Sequence, residues 1–254
     1  MSAELPRVAG LCRHNLKLWL ADVQVPILLV GMPLVMIVFL RPVYRDGLAE
    51  LGVTGATGAE QAVPGMAVMF ALFGASILSN ELHRERQWGT WERLRSSGAR
   101  TSQILVGKLL PPLLVIAGQL TVLFLAGVAV FGLRVEGSPA GLALVAGATA
   151  LTMLALGLAM AALVRSITRL AALGNAMSVT LAGLGGALVP VAELPAWAQL
   201  AAPLTPSYWA VRGFQAAILE TGGFAEAVHA ALVLTGFTLA LGALAAWRFR
   251  LGET

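Results

Sequence analysis

Residues able to do chemistry are scarce in this chain, and their longest run is one stretch, Glu81 to Arg100 (ELHRERQWGTWERLRSSGAR). It carries Arg84, Arg86, Arg93, Arg95 and Arg100 against Glu81, Glu85 and Glu92, with Trp88, Trp91 and Leu94 spaced by three. That spacing predicts a short helix with an apolar stripe on one side and charges on the others. The stretch offers either a docking surface for a soluble protein or a basic segment held near the surface by anionic membrane lipid. Gly89 favours docking, because a glycine in a surface helix costs about 1 kcal/mol relative to alanine unless backbone or a partner comes close. The other reactive residue types form no site. Cys12 is the sole cysteine, and His14, His83 and His229 are scattered, which excludes a disulfide framework within the chain and any multi-cysteine metal site. Gly107-Lys108 lacks the Gly-rich lead-in of a phosphate-cradling loop, and neither His-Glu-x-x-His nor Gly-x-Ser-x-Gly occurs. The chain is therefore expected to hold no cofactor or metal and to catalyse nothing on its own.

The elements that must position this stretch read as membrane helices. Of 254 residues, 58% are hydrophobic and 12% charged, with a mean hydropathy of +0.82; soluble domains hold about 45–50% apolar and about 25% charged residues. A bilayer-crossing helix needs about 20 apolar residues, so the length has room for six spans and no sizeable soluble domain. Apolar runs place the spans at 23–40, 62–79, 104–133, 140–164, 170–189 and 225–246 of a single domain over 1–254. Before them, Leu5, Val8, Ala9, Cys12, Leu16, Trp19 and Leu20 recur at helical spacing, with Arg7, Arg13, His14 and Lys17 largely opposite. This predicts an amphipathic interfacial helix over 5–20. A signal peptide is not expected, since Arg41-Pro42-Val43-Tyr44 stands where a small-residue cleavage site should be. Arg41 to Gln61 reads as a polar, Gly-rich loop. Pro26 and Pro33 sit inside the first span, and Pro111-Pro112 is expected to kink or break the first turns of the third. Pro190 to Glu220, with Pro190, Pro195, Pro203 and Pro206, is too broken to span and too apolar to be free in water. It is read as a short re-entrant or interfacial element.

With the N-terminus cytoplasmic, the inner loops and termini hold all 17 Lys and Arg except Arg41, Arg45, Arg134 and Arg212. That bias predicts an N-in, C-in topology, with 81–100 cytoplasmic and 190–220 extracellular. None of the six Trp falls in mid-span, which agrees. The net charge of +4 is then a report of topology, and no nucleic-acid partner is expected. Charges within the spans are nearly absent: Asp22 and Lys108 lie at span edges, and the interior polar residues are mostly Ser, Thr, Gln119 and Asn175. A proton-driven carrier needs ionisable groups at membrane depth, so the driving free energy is expected to come from another polypeptide.

The order of residues carries a resemblance. The string E-R-Q-W-G-T-W-E-R-L-R-S-S-G, followed by Gly107-Lys108 at the start of an apolar segment, resembles the first cytoplasmic loop of the ABC-2 family of ABC-transporter permeases. The family's Glu-x-x-x-Gly-Thr-x-Glu-x-Leu core is met by Glu85, Gly89, Thr90, Glu92 and Leu94. The run Gly185 to Trp197, followed by Pro203 to Arg212, is similar to the family's segment after the fifth span. The resemblance covers nearly the whole chain. It implies a coupling helix between spans 2 and 3, in which Glu85, Trp88, Gly89, Thr90, Trp91, Glu92, Arg93 and Leu94 contact an ATPase. It also implies an extracellular gate containing Pro190, Pro195, Trp197, Pro206, Tyr208 and Trp209. On this basis the chain is expected to be a permease subunit, paired with an identical or related chain, on two cytoplasmic ABC ATPase subunits that bind ATP and Mg. Multidrug and antibiotic exporters are the nearest look-alikes, which implies export of hydrophobic drugs, antibiotics or lipid-like compounds. Arg95-Ser96-Ser97-Gly98 departs from the Pro that many drug exporters carry there. The Ala, Leu, Gly and Arg bias suits a GC-rich bacterial genome, hence a multi-pass protein of the bacterial cell membrane. Two other readings stand beside this one: a non-transporting scaffold that recruits a cytoplasmic partner, and export of a polysaccharide or other polymer.

In the fifth span, Gly174, Ser178, Ala182 and Gly186 recur every four residues, a row of small side chains that lets another helix approach closely. That helix could belong to the same chain. The resemblance implies instead a seam between two permeases, formed with the first span and lining the path. Met32, Met36 and Met177 are then adaptable apolar candidates for the lining.

Overall fold

The computed structural model describes residues 10, 12–13, 15–17, 21–50, 57–87, 101–164, 166–219 and 223–251. Among these residues there is no strand, and six helices are long and apolar enough to cross a membrane, as the hydropathy pattern predicts. Helix α1 starts at Gln24–Pro26, passes through a π-helical turn at Ile27–Gly31 and continues as Met32–Glu50. Then come α2 (Ala59–Gln87), α3 (Thr101–Ala129), α4 (Pro139–Leu163) and α5 (Ile167–Leu184). Two 3₁₀ turns, Val191–Glu193 and Ala202–Leu204, flank α6 (Ala196–Ala201). Helices α7 (Pro206–Ile218) and α8 (Gly223–Leu251) follow. We call the end of the bundle at Gln87 and Thr101 the near end, and the opposite end, at Ala59 and Ala129, the far end.

Local chemistry explains where these helices begin and bend. The Asp22 carboxylate accepts from the Gln24 N–H at 3.0 Å and starts α1. The π turn lies between Pro26 and Pro33, whose missing N–H groups interrupt the i→i−4 ladder on both sides. Thr57 and Glu60 start α2 as a capping box: Glu60 accepts from the Thr57 N–H at 3.1 Å, and Thr57 Oγ1 accepts from the Ala59 N–H at 3.2 Å. Ser138 caps α4 through the Gly141 N–H, with Pro139 in the first helical turn.

Of the kink or break expected at Pro111-Pro112, the break does not occur, because α3 is helical throughout 101–129 with both prolines inside it. Pro111 leaves the Gly107 carbonyl without its helical donor. The Asn15 side-chain amide supplies one at 2.9 Å, reaching from the segment before α1. The loop expected over 41–61 is also shorter than its polarity suggests. Helix α1 continues through Arg41 and Arg45 to Glu50, and α2 begins at Ala59, so Gln61 lies inside a helix and is 2% exposed. Loss of apolarity ends the buried stretch of a membrane helix but does not by itself end its hydrogen-bond ladder.

Helix α2 is the centre of the bundle and packs against α1, α3, α4, α5 and α7. Of its apolar stretch 83% is buried, against 22% for α1, α5 and α8. Its residue sizes allow this: Ala62, Ala67, Ala71 and Ala75 are fully buried and let neighbouring backbones approach. Larger groups fill the remaining volume, with Met66 and Leu72 of α2 beside Ile116, Leu120 and Leu123 of α3 and Met153 of α4 in one cluster. The α3 ring of Phe124 meets Phe214 of α7 at 4.7 Å between centroids. Helix α8 lies along α4, where Thr152 Oγ1 sits 3.0 Å from both the Leu234 carbonyl and Thr238 Oγ1.

Candidate functional site

At the far end, the chain after α5 turns sharply and folds back over the bundle. Gly186 adopts φ +81°, a conformation that suits glycine, and so leaves the helix at this point. The lip formed by 191–204 is open: Trp197, Leu200 and Leu204 are 67%, 81% and 78% exposed. Helix α7 is the opposite. Thr205 caps it by accepting from the Tyr208 N–H, and Ala210, Phe214, Ala217 and Ile218 are fully buried. Thus the proline-rich element has two parts, an exposed lip and a helix wedged against α2, α4 and α8.

Buried polar groups tie α7 down. The Gln61 amide of α2 donates to the Gly186 carbonyl at 2.8 Å, and Gln215 of α7 donates to Gln61 Oε1 at 2.6 Å. Ser207 Oγ donates to the Leu181 carbonyl at 2.6 Å, and Tyr44 Oη of α1 donates to the Leu188 carbonyl at 2.5 Å. The other end of α7 is joined to the start of α4, where the Glu136 and Ser138 N–H groups donate to the Ile218 and Ala217 carbonyls at 2.9 and 2.8 Å. Pro206 is buried, whereas Pro195 is exposed and Pro190 half-buried. Tyr208 and Trp209 stack edge to face at 5.3 Å; the Arg212 guanidinium lies 6.0 and 5.8 Å from their ring centroids, and Trp209 Nε1 donates to the Pro203 carbonyl at 2.8 Å. Sequence reasoning did not single out Gln61, Gln215, Ser207 or Tyr44. A glutamine just inside a long apolar segment is the one signal that could have found the first.

The small-residue row of α5 faces into the chain. Gly174, Ser178 and Ala182 are buried, and a Cβ at Gly174 would overlap Ser76 Oγ of α2 and lie 3.0 Å from Met160 Cε of α4. Gly186 is not on the helix at all. This corrects the expectation that the row meets a second permease: it is the contact that seats α5 on α2. The reason is steric, since only small residues allow α5 so close to Ser76. The opposite face of α5 is uncovered, with Leu173, Met177 and Val179 exposed, as are Met32, Val35, Met36 and Phe39 on α1.

At the near end, α2 continues through residues 81–87, so the charged stretch that starts at Glu81 begins as the last turns of the central helix. Leu82 and His83 are still buried there, while Glu81 and Arg84 pair at 2.9 Å on the exposed side. Glu85 lies on this helix, and its side chain is outside the described residues. So are Trp88, Gly89, Thr90, Trp91, Glu92, Arg93 and Leu94.

This helix order can be set beside known proteins. Residues 8–219, from before α1 through α7, match the ABC-2 type transporter family. The chain belongs to that family. The ABC-2 chain is also similar to "ABC transporter G family member 20" of Dictyostelium discoideum, 32% identical over 135 residues, or 53% of this chain and 18% of that protein. It therefore spans less than a fifth of that relative's length. With its six apolar helices, this ABC-2 chain is a multi-pass membrane protein.

Proposed function

We propose that this chain is the membrane-spanning permease of an ATP-driven exporter, N-in and C-in, in a bacterial cell membrane. Residues 81–100 dock onto a separate cytoplasmic ABC ATPase, which supplies the ATP and Mg chemistry, and the complex holds two permeases and two ATPases. The observation that best supports this reading is the course of α2. One buried helix runs from the Gln61 network under the far-end element to the turns that open the coupling stretch. A displacement at the ATPase end of such a rod would reach the far end through its packed neighbours. The seam and path use the uncovered faces of α1 and α5, with Met32, Met36 and Met177 in the lining. Both helices pack on α2, and Tyr44 links α1 to the turn after α5. A path walled by thioether and aliphatic groups suits a hydrophobic or lipid-like substrate. The far-end element, including Trp197, Tyr208 and Trp209, closes it at rest.

Efflux of a hydrophobic dye from cells co-expressing this chain with a candidate ATPase tests the proposal. Vanadate-sensitive efflux that needs both chains is expected. Efflux that a protonophore abolishes at constant ATP would overturn it. In a Cys12→Ser background, Met177→Cys is expected to cross-link two permeases and Ala182→Cys is not. The reverse pattern would move the seam.

A further inference from the structure

Two of the four arginines that break the charge pattern of the sequence, Arg41 and Arg45, share one cavity. It has a volume of about 430 Å³ and opens at the far end between α1 and the C-terminal end of α3. Arg41 and Arg45 are one helical turn apart on α1, which puts their side chains on one face about 5–6 Å apart at Cβ. Val38 and Pro42 complete that stripe, and Val130 and Phe131 form the opposite wall. Thr57 helps close the cavity, and its carbonyl accepts from Arg41 Nε at 3.0 Å, which orients the guanidinium.

The depth of these groups matters. Asp22, at the start of α1, and Arg41 are 19 residues apart, about 28 Å along a helix, close to the hydrocarbon thickness of about 30 Å. Arg41 therefore stands at headgroup level when Asp22 stands at the other surface, and Arg45 stands one turn further out. The surface around them is apolar: Val38, one turn back along α1, is 55% exposed and Val130, just past the end of α3, is 70% exposed. Among the described residues the only carboxylate within 4.0 Å of either guanidinium is Asp46, 3.4 Å from Arg45 Nε, and that pair is 64% and 72% exposed, where an ion pair holds weakly.

We propose that this cavity is a binding site for the phosphate of an anionic membrane phospholipid, held by Arg41 and Arg45, with an acyl chain lying along Val38 and Val130. Two guanidinium forks a helical turn apart match the oxygens of one phosphate, and the apolar wall beside them matches the start of a hydrocarbon chain.

The test uses the full chain, delipidated in detergent and titrated with phosphatidylglycerol while native mass spectrometry counts adducts. One saturable phosphatidylglycerol per chain is expected, and diacylglycerol, which lacks the phosphate, should not compete for it. Arg45→Gln should weaken binding about tenfold, the loss of one charge-assisted hydrogen bond. Because the Arg45 guanidinium is bonded to exposed Asp46 and not to a backbone carbonyl, that variant should fold even where Arg41→Gln, which frees the Thr57 carbonyl, does not. Arg134→Gln removes an exposed charge from the same end that does not line the cavity, and it should bind as wild type. Unchanged affinity in Arg45→Gln, or an equal loss in Arg134→Gln, would overturn the site. Displacement of the lipid by millimolar glycerol 3-phosphate or inorganic phosphate would overturn the lipid as its occupant and leave a free anion instead.

Discussion

Replacing Gly174 by alanine adds one methyl group at the closest approach of α5 to α2. The new Cβ would overlap Ser76 Oγ and lie 3.0 Å from Met160 Cε and 3.1 Å from Ser76 Cβ. Met160 is unbranched and its tip can move. Ser76 is 3% exposed on the most buried helix and has little room to retreat. Overpacking of this kind costs about 1–3 kcal/mol, and alanine returns up to about 1 kcal/mol of helix propensity. The net expectation is a loss of about 1–2 kcal/mol. For a chain of this size that is a fall in Tm of roughly 2–8 °C, read by tryptophan fluorescence of the full chain in detergent. The decisive measurement is the double variant Gly174→Ala with Ser76→Gly. Removing the Ser76 side chain makes room for the methyl group, so the double variant should recover at least about half of the loss, a coupling between contacting residues. Additive losses, or a change in dimer yield without a change in chain stability, would refute the placement of this row inside one chain.

Three further outcomes follow from the same geometry. Gln61→Leu leaves the Gly186 carbonyl and the Gln215 amide without their partner; stability should fall by about 1–3 kcal/mol, and amide exchange over 187–218 should quicken, whereas unchanged exchange would mean that the Gln61 bonds do not hold α7. Asn15→Leu removes the donor to the Gly107 carbonyl and should lower stability by about 1 kcal/mol, measured as thermal unfolding; no change would show that Pro111 leaves that carbonyl adequately solvated. Glu92→Arg should cut copurification of the ATPase at least about tenfold with no change in the permease's own Tm, and wild-type copurification would count against docking through 81–100.

The sequence by itself determined the class of fold, because membrane insertion is decided by the summed apolarity of about 20 consecutive residues, a quantity read directly along the chain. It also pointed to the unusual segments: the charged run after α2, the broken stretch after α5 and the small-residue row of α5. Span ends were less legible. Arg41 and Pro42 look like the end of a helix, yet α1 runs on to Glu50, because backbone hydrogen bonds continue in the interface without apolar side chains. Pro111-Pro112 looked like a kink or a break, yet α3 is helical across both, and the carbonyl that Pro111 frees finds a donor in Asn15, nearly a hundred residues earlier. Only the tertiary structure decided which helix the row Gly174, Ser178 and Ala182 faces. Small residues permit a close approach on whichever side they lie, and nothing in their spacing names the neighbour. The same is true of Gln61 and Gln215, separated by 154 positions and joined by one hydrogen bond, and of Arg41 and Val130, which share a cavity. Periodicity encodes which face of a helix is small, polar or apolar; the choice of partner for that face is made by the packing of all the helices together.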